Sequence, residues 1–259
     1  MLTVAINSAT QQTSVALLEG KKSTRKNSSL LKLLSEKSWL GKKDEAEKII
    51  PNILVLLKKA KKNWNDVENI FVIEGPGPFT GLRVGVTIAN SLAWSTKSKI
   101  FTTNVFDYLC ATLPSRPKTS SSSKSSSKTA IIIKAGGEFV AVFLPTQKTK
   151  KSKLVKIENL ASYLKKAKIT HVLAEMKIED QKTFQKIFKE QKLNIHCIES
   201  KKLKTFGQTI PELIKKSRTI SKTGKSKPAV LKPLYLQKPH ITASKKEIFT
   251  HAQTHARAK

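Results

Sequence analysis

The chain has 259 residues, enough for one large domain or two modest ones and for a real core. Its 49 Lys plus Arg against 18 Asp plus Glu leave a formal charge of +31, which favours polyanions and makes any such binding salt-sensitive. Two cysteines far apart, with no CxxC, argue against a paired-thiol metal or redox centre, and no run of 18 apolar residues or basic leader is present, so a cytoplasmic chain with no membrane partner is expected.

Residues 2–6 and 14–18 read as two strands joined by a polar turn over 7–13. A third strand fits within 29–36. Residues 44–60 read as a helix, with acids in the first turn, lysines in the last, and Pro51 predicting a kink or restart. A buried-type strand follows at 69–73, then a helix over about 80–95, a strand at 99–103 and a short helix at 105–112. The run over 115–129 is Ser and Lys, which cannot build a core, and reads as a linker. Beyond it come a hairpin around Gly136 and Gly137, a helix at 158–167, a strand at 170–174, a helix at 179–191, a strand at 193–198 and a helix at 208–217. A basic loop (221–228), an apolar stretch (229–237) and a basic tail complete the chain.

This pattern divides into an N-terminal lobe (1–112), a Ser/Lys loop (113–129), a smaller lobe (130–237) and a tail (238–259) expected to be disordered. Helix 208–217 is a candidate to return to the first lobe. Each half opens on a hairpin and continues in αβ units, as a duplicated α/β architecture would.

The stretch EGPGPFTGLRVGV, residues 74–86, combines a strand end, a Gly-rich turn and a helix start. Gly75 and Gly77 suit a tight turn, Pro76 and Pro78 stiffen it, and Thr80 is a good N-cap. These are ingredients of an anion site, but the spacing is GxGxxxG, and no Lys stands where a Walker loop needs one. TGKS at 223–226 lacks the first Walker glycine, since Thr219 stands there. Gly81, Gly85, Ala89 and Ala93 recur every four residues and make a smooth stripe flanked by Leu82, Val86 and Leu92. Such a stripe packs either on a neighbouring helix of the same chain or on a partner subunit.

Three segments together resemble one family. TVAINSATQQTSVALLEG is similar to the opening hairpin of the TsaB (YeaZ) proteins, GPGPFTGLRVGV to their GPGSFTGLRIG signature, and AGGEFVAVFLP with LKPLYLQ to their second hairpin and PxYLR ending. The resemblance covers residues 1–237 apart from the Ser/Lys loop. It implies a duplicated actin/Hsp70-like (ASKHA) α/β fold, two lobes each with a mixed sheet and flanking helices. It implies a non-catalytic scaffold that activates a TsaD-like catalytic paralogue, which threonylcarbamoylates the tRNA adenosine 3′ of the anticodon. A TsaE-like ATPase joins that complex, tRNA is reached through it, and a homodimer of the free subunit is a further reading. The implied partner interface lies on helices 44–60 and 80–95, with Ile49, Ile53, Leu56, Gly81, Leu82, Gly85, Val86, Ala89 and Ala93. Gly75, Gly77, Thr80 and Arg83 form the motif turn.

Where the family has Asp in the first turn this chain has Asn7; where it often has His it has Glu45; and Lys134-Ala135-Gly136 replaces Asp-Ala-Arg. An ATPase of this fold needs that Asp and Gly-rich loops in both halves, so no cofactor, metal or catalytic residue is expected. The alternative is an ATP-dependent kinase or ATPase of the same fold. His171 and His196 fall on predicted strands and read as packed residues, whereas His251 and His255, four apart in the tail, lack the context of a metal pair. A stand-alone RNA-binding protein is weakened by 6% aromatics and only five arginines.

Overall fold

The computed structural model describes residues 1–20, 31–113, 128–145, 152–198, 203–220 and 230–236. Most of the Ser/Lys run, the basic loop and the tail lie outside these residues. So do His240, His251 and His255.

Strands β1 (Leu2–Asn7), β2 (Gln12–Gly20) and β3 (Leu31–Leu40) form an antiparallel meander. Helix α1 (Glu45–Lys59) leads to β4 (Val67–Ile73), which pairs parallel to β1. Helix α2 (Phe79–Thr96) leads to β5 (Lys99–Thr103), parallel to β4, and α3 (Val105–Thr112) follows. The second half repeats this plan. β6 (Thr129–Gly136), β7 (Phe139–Phe143) and β8 (Lys153–Lys156) make a meander. Then α4 (Ile157–Lys166), β9 (His171–Glu175), α5 (Ile178–Glu190) and β10 (His196–Cys197) add two parallel strands beside β6. The strand orders β3-β2-β1-β4-β5 and β8-β7-β6-β9-β10 are the same, which is the duplicated α/β architecture expected from the sequence.

The chain then returns to the first sheet. Helix α6 (Phe206–Lys216) buries Phe206, Ile210 and Leu213 against it, and β11 (Arg218–Ile220) pairs antiparallel to β5 as a sixth strand. The Glu36 carboxylate on β3 accepts from the Gly207 N–H at 2.7 Å, so negative charge sits at the α6 N-terminus, where the helix dipole favours it. Side chains alternate across a strand, and this divides the helices. α2 approaches Ile6 and Ser8 of the β1 end, whereas α6 meets Leu33 and Glu36 on the opposite face.

Several local expectations change. α1 runs uninterrupted through Pro51. Proline removes one donor to the carbonyl four residues back, and both Pro51 and Glu47 are exposed, so water can satisfy that carbonyl. α2 starts at Phe79 behind Pro78, and Thr80 is therefore inside the helix and not its cap. The third strand reaches Leu40, beyond the expected 36, while the last parallel strand shrinks to two residues. β8 and β11 were not expected, because four- and three-residue strands with basic ends carry no readable period.

Candidate functional site

A cleft of about 650 Å³ opens between the two sheets. Its walls come from the first hairpin turn (Ala9, Thr10, Gln11), the Gly-rich turn (Pro76, Gly77, Pro78), the second hairpin (Lys134, Gly136) and the end of β9 with the start of α5 (Glu175, Asp180). In an α/β sheet such crevices at strand ends are where ligands bind.

Where the first hairpin turn meets the Gly-rich turn, the cleft wall is built by close packing. Asn7 is fully buried. Its Nδ2 donates to Thr10 Oγ1 at 2.7 Å, and its Oδ1 accepts from the Ala9 N–H at 3.0 Å. Thr10 Oγ1 in turn donates to the Gln12 carbonyl at 2.8 Å. The amide is spent on shaping its own turn and offers no negative charge to a metal. A Cβ at Gly77 would fall on the carbonyl of Ala9, so the two turns touch backbone to backbone. The motif is thus a close-packing turn, in which Gly77, Gly81 and Gly85 admit the first hairpin.

The charged groups line the other wall. Lys134 Nζ pairs with Asp180 at 2.7 Å, both partly exposed. Glu175 accepts from the Gln11 N–H at 2.6 Å. Burial raises its carboxyl above the usual carboxylate range, and the Gln11 N–H opposes that rise. The Tyr108 hydroxyl is pushed up as well, by burial first and then by the negative charges of Glu175 and Glu36. Among the described residues no three His, Cys, Asp or Glu side chains stand together as metal ligands.

The small-residue stripe faces inward. Gly81, Gly85, Ala89, Ala93, Leu82 and Val86 of α2 are all buried, as are Ile49, Ile53 and Leu56 of α1. A Cβ at Gly81 would lie 2.9 Å from the Ser8 carbonyl oxygen, and one at Gly85 would collide with Ser8 Oγ. Helical spacing alone could not tell inward from outward, because a stripe that admits a partner helix admits a hairpin equally well. These nine residues, expected as partner contacts, therefore pack within the chain. What the two helices expose instead is Leu54 at 46%, Val55 at 45% and Trp94 at 76%, with Ile50, Val84 and Ile88 half-buried beside the core. Sequence reading passed over them, since Leu54 and Val55 continue an apolar run that looks like core on every side.

Arg83 also takes another place. Its guanidinium lies 4.2 Å over the Phe79 ring and its Nε donates to the Tyr235 hydroxyl at 3.2 Å. Phe79 and Tyr235 stack at 5.0 Å. Residues 230–236 thus form a strap along α2. Asn90 fixes it with two amide bonds, donating to the Leu231 carbonyl at 2.9 Å and accepting from the Leu231 N–H at 3.0 Å. The Leu234 N–H donates to the Glu74 carbonyl at 2.7 Å, and Gly75, at φ +112°, lies directly beneath the Leu234 carbonyl. Gly75 and Arg83 thus belong to one strap-and-turn assembly, while Thr80 is exposed beside it.

Residues 40–250 match the family model described as "TsaD: tRNA N6-adenosine threonylcarbamoyltransferase". The chain is 36% identical over 70 residues to the tRNA threonylcarbamoyladenosine biosynthesis protein TsaB of Bacillus subtilis, covering 27% of this chain and 31% of that one. It is 42% identical over 60 residues to the TsaB protein of Buchnera aphidicola, covering 23% and 29%. The aligned part thus spans under a third of the length of either curated relative. YeaZ from Pseudomonas aeruginosa superposes with a TM-score of 0.42 at 20% identity, over 60% of this chain and 64% of that one.

Proposed function

The chain belongs to the TsaD family, and we propose that within it the chain is of the TsaB/YeaZ group, a non-catalytic scaffold and activator in tRNA threonylcarbamoyladenosine synthesis. Its two mixed sheets with flanking helices are of the actin/Hsp70-like (ASKHA) class. In this reading it binds a TsaD-like catalytic paralogue, which carries out N6-threonylcarbamoylation of the tRNA adenosine 3′ of the anticodon. A TsaE-like ATPase joins the assembly, and tRNA is met through the complex.

Beside the family membership, one structural observation supports the reading: two adjacent helices leave Leu54, Val55 and Trp94 open to water. Exposed aromatic and aliphatic side chains are the usual core of a docking surface. The closed turn around Asn7 supports the non-catalytic half of the proposal, because a metal–phosphate site would need an acid there. The test is light scattering after gel filtration of this protein mixed with its catalytic paralogue. A new species with one copy of each is the expected result; separate elution with and without nucleotide would sink the proposal.

A second reading, an ATP-dependent kinase or ATPase of the same fold, is favoured by the cleft itself, which carries Lys134, Asp180 and Glu175. Calorimetric titration with Mg-ATP separates the two. Tight binding by the isolated chain would support this reading and overturn the scaffold-only one.

A further inference from the structure

We propose that His171 and His196 form a two-imidazole site for a divalent transition-metal ion at the edge of the second sheet. The sequence suggested two packed strand residues, but parallel pairing of β9 and β10 sets them directly opposite one another. In-register neighbours on adjacent strands point to the same face, so both imidazoles project together. Their ring centroids are 5.4 Å apart, with the planes tilted by 39°. Two imidazoles bound to one tetrahedral ion through N–metal bonds near 2 Å place their centroids about 5 Å apart. The observed separation is compatible with that spacing.

The ring of His171 is already oriented for this. Its Nδ1 lies 3.0 Å from Thr170 Oγ1, and that hydroxyl reaches the Lys128 carbonyl at 3.4 Å. Thr170 thus holds the ring at Nδ1, which leaves Nε2 as the nitrogen to meet an ion. Metal-bound histidines commonly have their other ring nitrogen held by an outer hydrogen-bond partner. The backbone beneath is held as well: the His196 N–H donates to the Thr170 carbonyl at 2.9 Å and the His171 N–H to the Lys128 carbonyl at 3.1 Å. His196 is exposed, which gives an ion a path in.

Neutral imidazole donors suit Zn²⁺, Ni²⁺ or Cu²⁺, and not Mg²⁺ or Ca²⁺, which prefer oxygen. With two protein ligands, the remaining positions are filled by water or by a donor from outside the chain. The ion is then exchangeable.

The test uses full-length chain carrying His251→Gln and His255→Gln, so that the pair near the C-terminus does not contribute. Zn²⁺ is titrated against a chromophoric chelator. One ion per chain is expected, with affinity falling at least about 10-fold on adding His171→Gln or His196→Gln, and about 10-fold on adding Thr170→Val. Zinc affinity that neither histidine change alters, or no zinc binding by the parent, would overturn the site. A second measurement uses the unaltered chain: Ni²⁺ should broaden the imidazole proton resonances of His171 and His196 together. Broadening of neither would also overturn the proposal.

Discussion

The backbone N–H of Gln11 meets the carboxylate of Glu175 at 2.6 Å, joining the tip of the first hairpin to the second sheet across 164 positions of sequence. With Phe106 stacked on Phe143 at 5.1 Å, it ties the two lobes together.

That contact predicts a pH dependence. Burial raises the Glu175 carboxyl in the folded protein, so the folded state holds this proton more tightly than the unfolded chain does. Stability is then greatest at low pH and declines as pH rises from the unfolded value, about 4.3, through the folded one. Glu175→Gln keeps an acceptor for Gln11 but does not titrate. The melting temperature of the wild type minus that of Glu175→Gln should therefore fall as pH goes from about 4 to about 7. Glu19, held low by its hydrogen bond to Lys62, and Asp44, held low by Lys48, act in the opposite sense but are common to both proteins. A difference that stays flat with pH would refute the assignment.

The inward stripe predicts a stability effect with a specific rescue. Gly85→Ala would drive a methyl into Ser8 Oγ, an overpacking that costs about 1–3 kcal/mol. Ser8→Gly removes the obstacle, and Ser8 Oγ has no hydrogen-bond partner to lose. Urea denaturation should show the double variant recovering part of the loss. A neutral Gly85→Ala would mean that the stripe is not packed as described.

The exposed face predicts the converse separation. Leu54→Asp and Trp94→Glu change solvent-facing positions and should alter stability by no more than about 0.5 kcal/mol. Both should abolish co-elution with the catalytic paralogue. Retained complex in the double variant would place the interface elsewhere.

The strap predicts a local opening. Asn90→Ala removes both bonds to Leu231, and Tyr235→Ala removes the Phe79 stack and the Arg83 bond. Each should speed amide exchange at Leu234 by about 10-fold, equivalent to the roughly 1–1.5 kcal/mol net worth of such hydrogen bonds. Unchanged exchange there would show that the strap is held by other contacts.

The two hairpins and the long helices were legible because their periods are clear and their turns carry polar or glycine residues. The stretch 74–86 was readable as a turn before a helix, yet its partner was not: Ala9 and Ser8 are some seventy residues away, and contact between them depends on β1 and β4 pairing in parallel. The same limit hid the strap. Arg83 reads as part of the motif turn, and only the arrival of Tyr235 from the far end shows what it touches. His171 and His196 illustrate the point again, since neither carries any local mark of the other. The exposed helix face was missed for another reason: the apolar run of five residues from Ile53 to Leu57 contains inward and outward positions that composition cannot sort.

α6 and β11 complete the first sheet from residues 206–220, whereas the strands and helices they cover end at residue 112. A nascent chain therefore presents an uncovered apolar sheet face while roughly ninety further residues are added, about 5–20 s at ordinary rates of synthesis. The first lobe cannot mature on the ribosome ahead of the second. An expression fragment ending near residue 113 would emerge with that face bare and a sheet edge unpaired, so the protein is made, and must be handled, as a single unit.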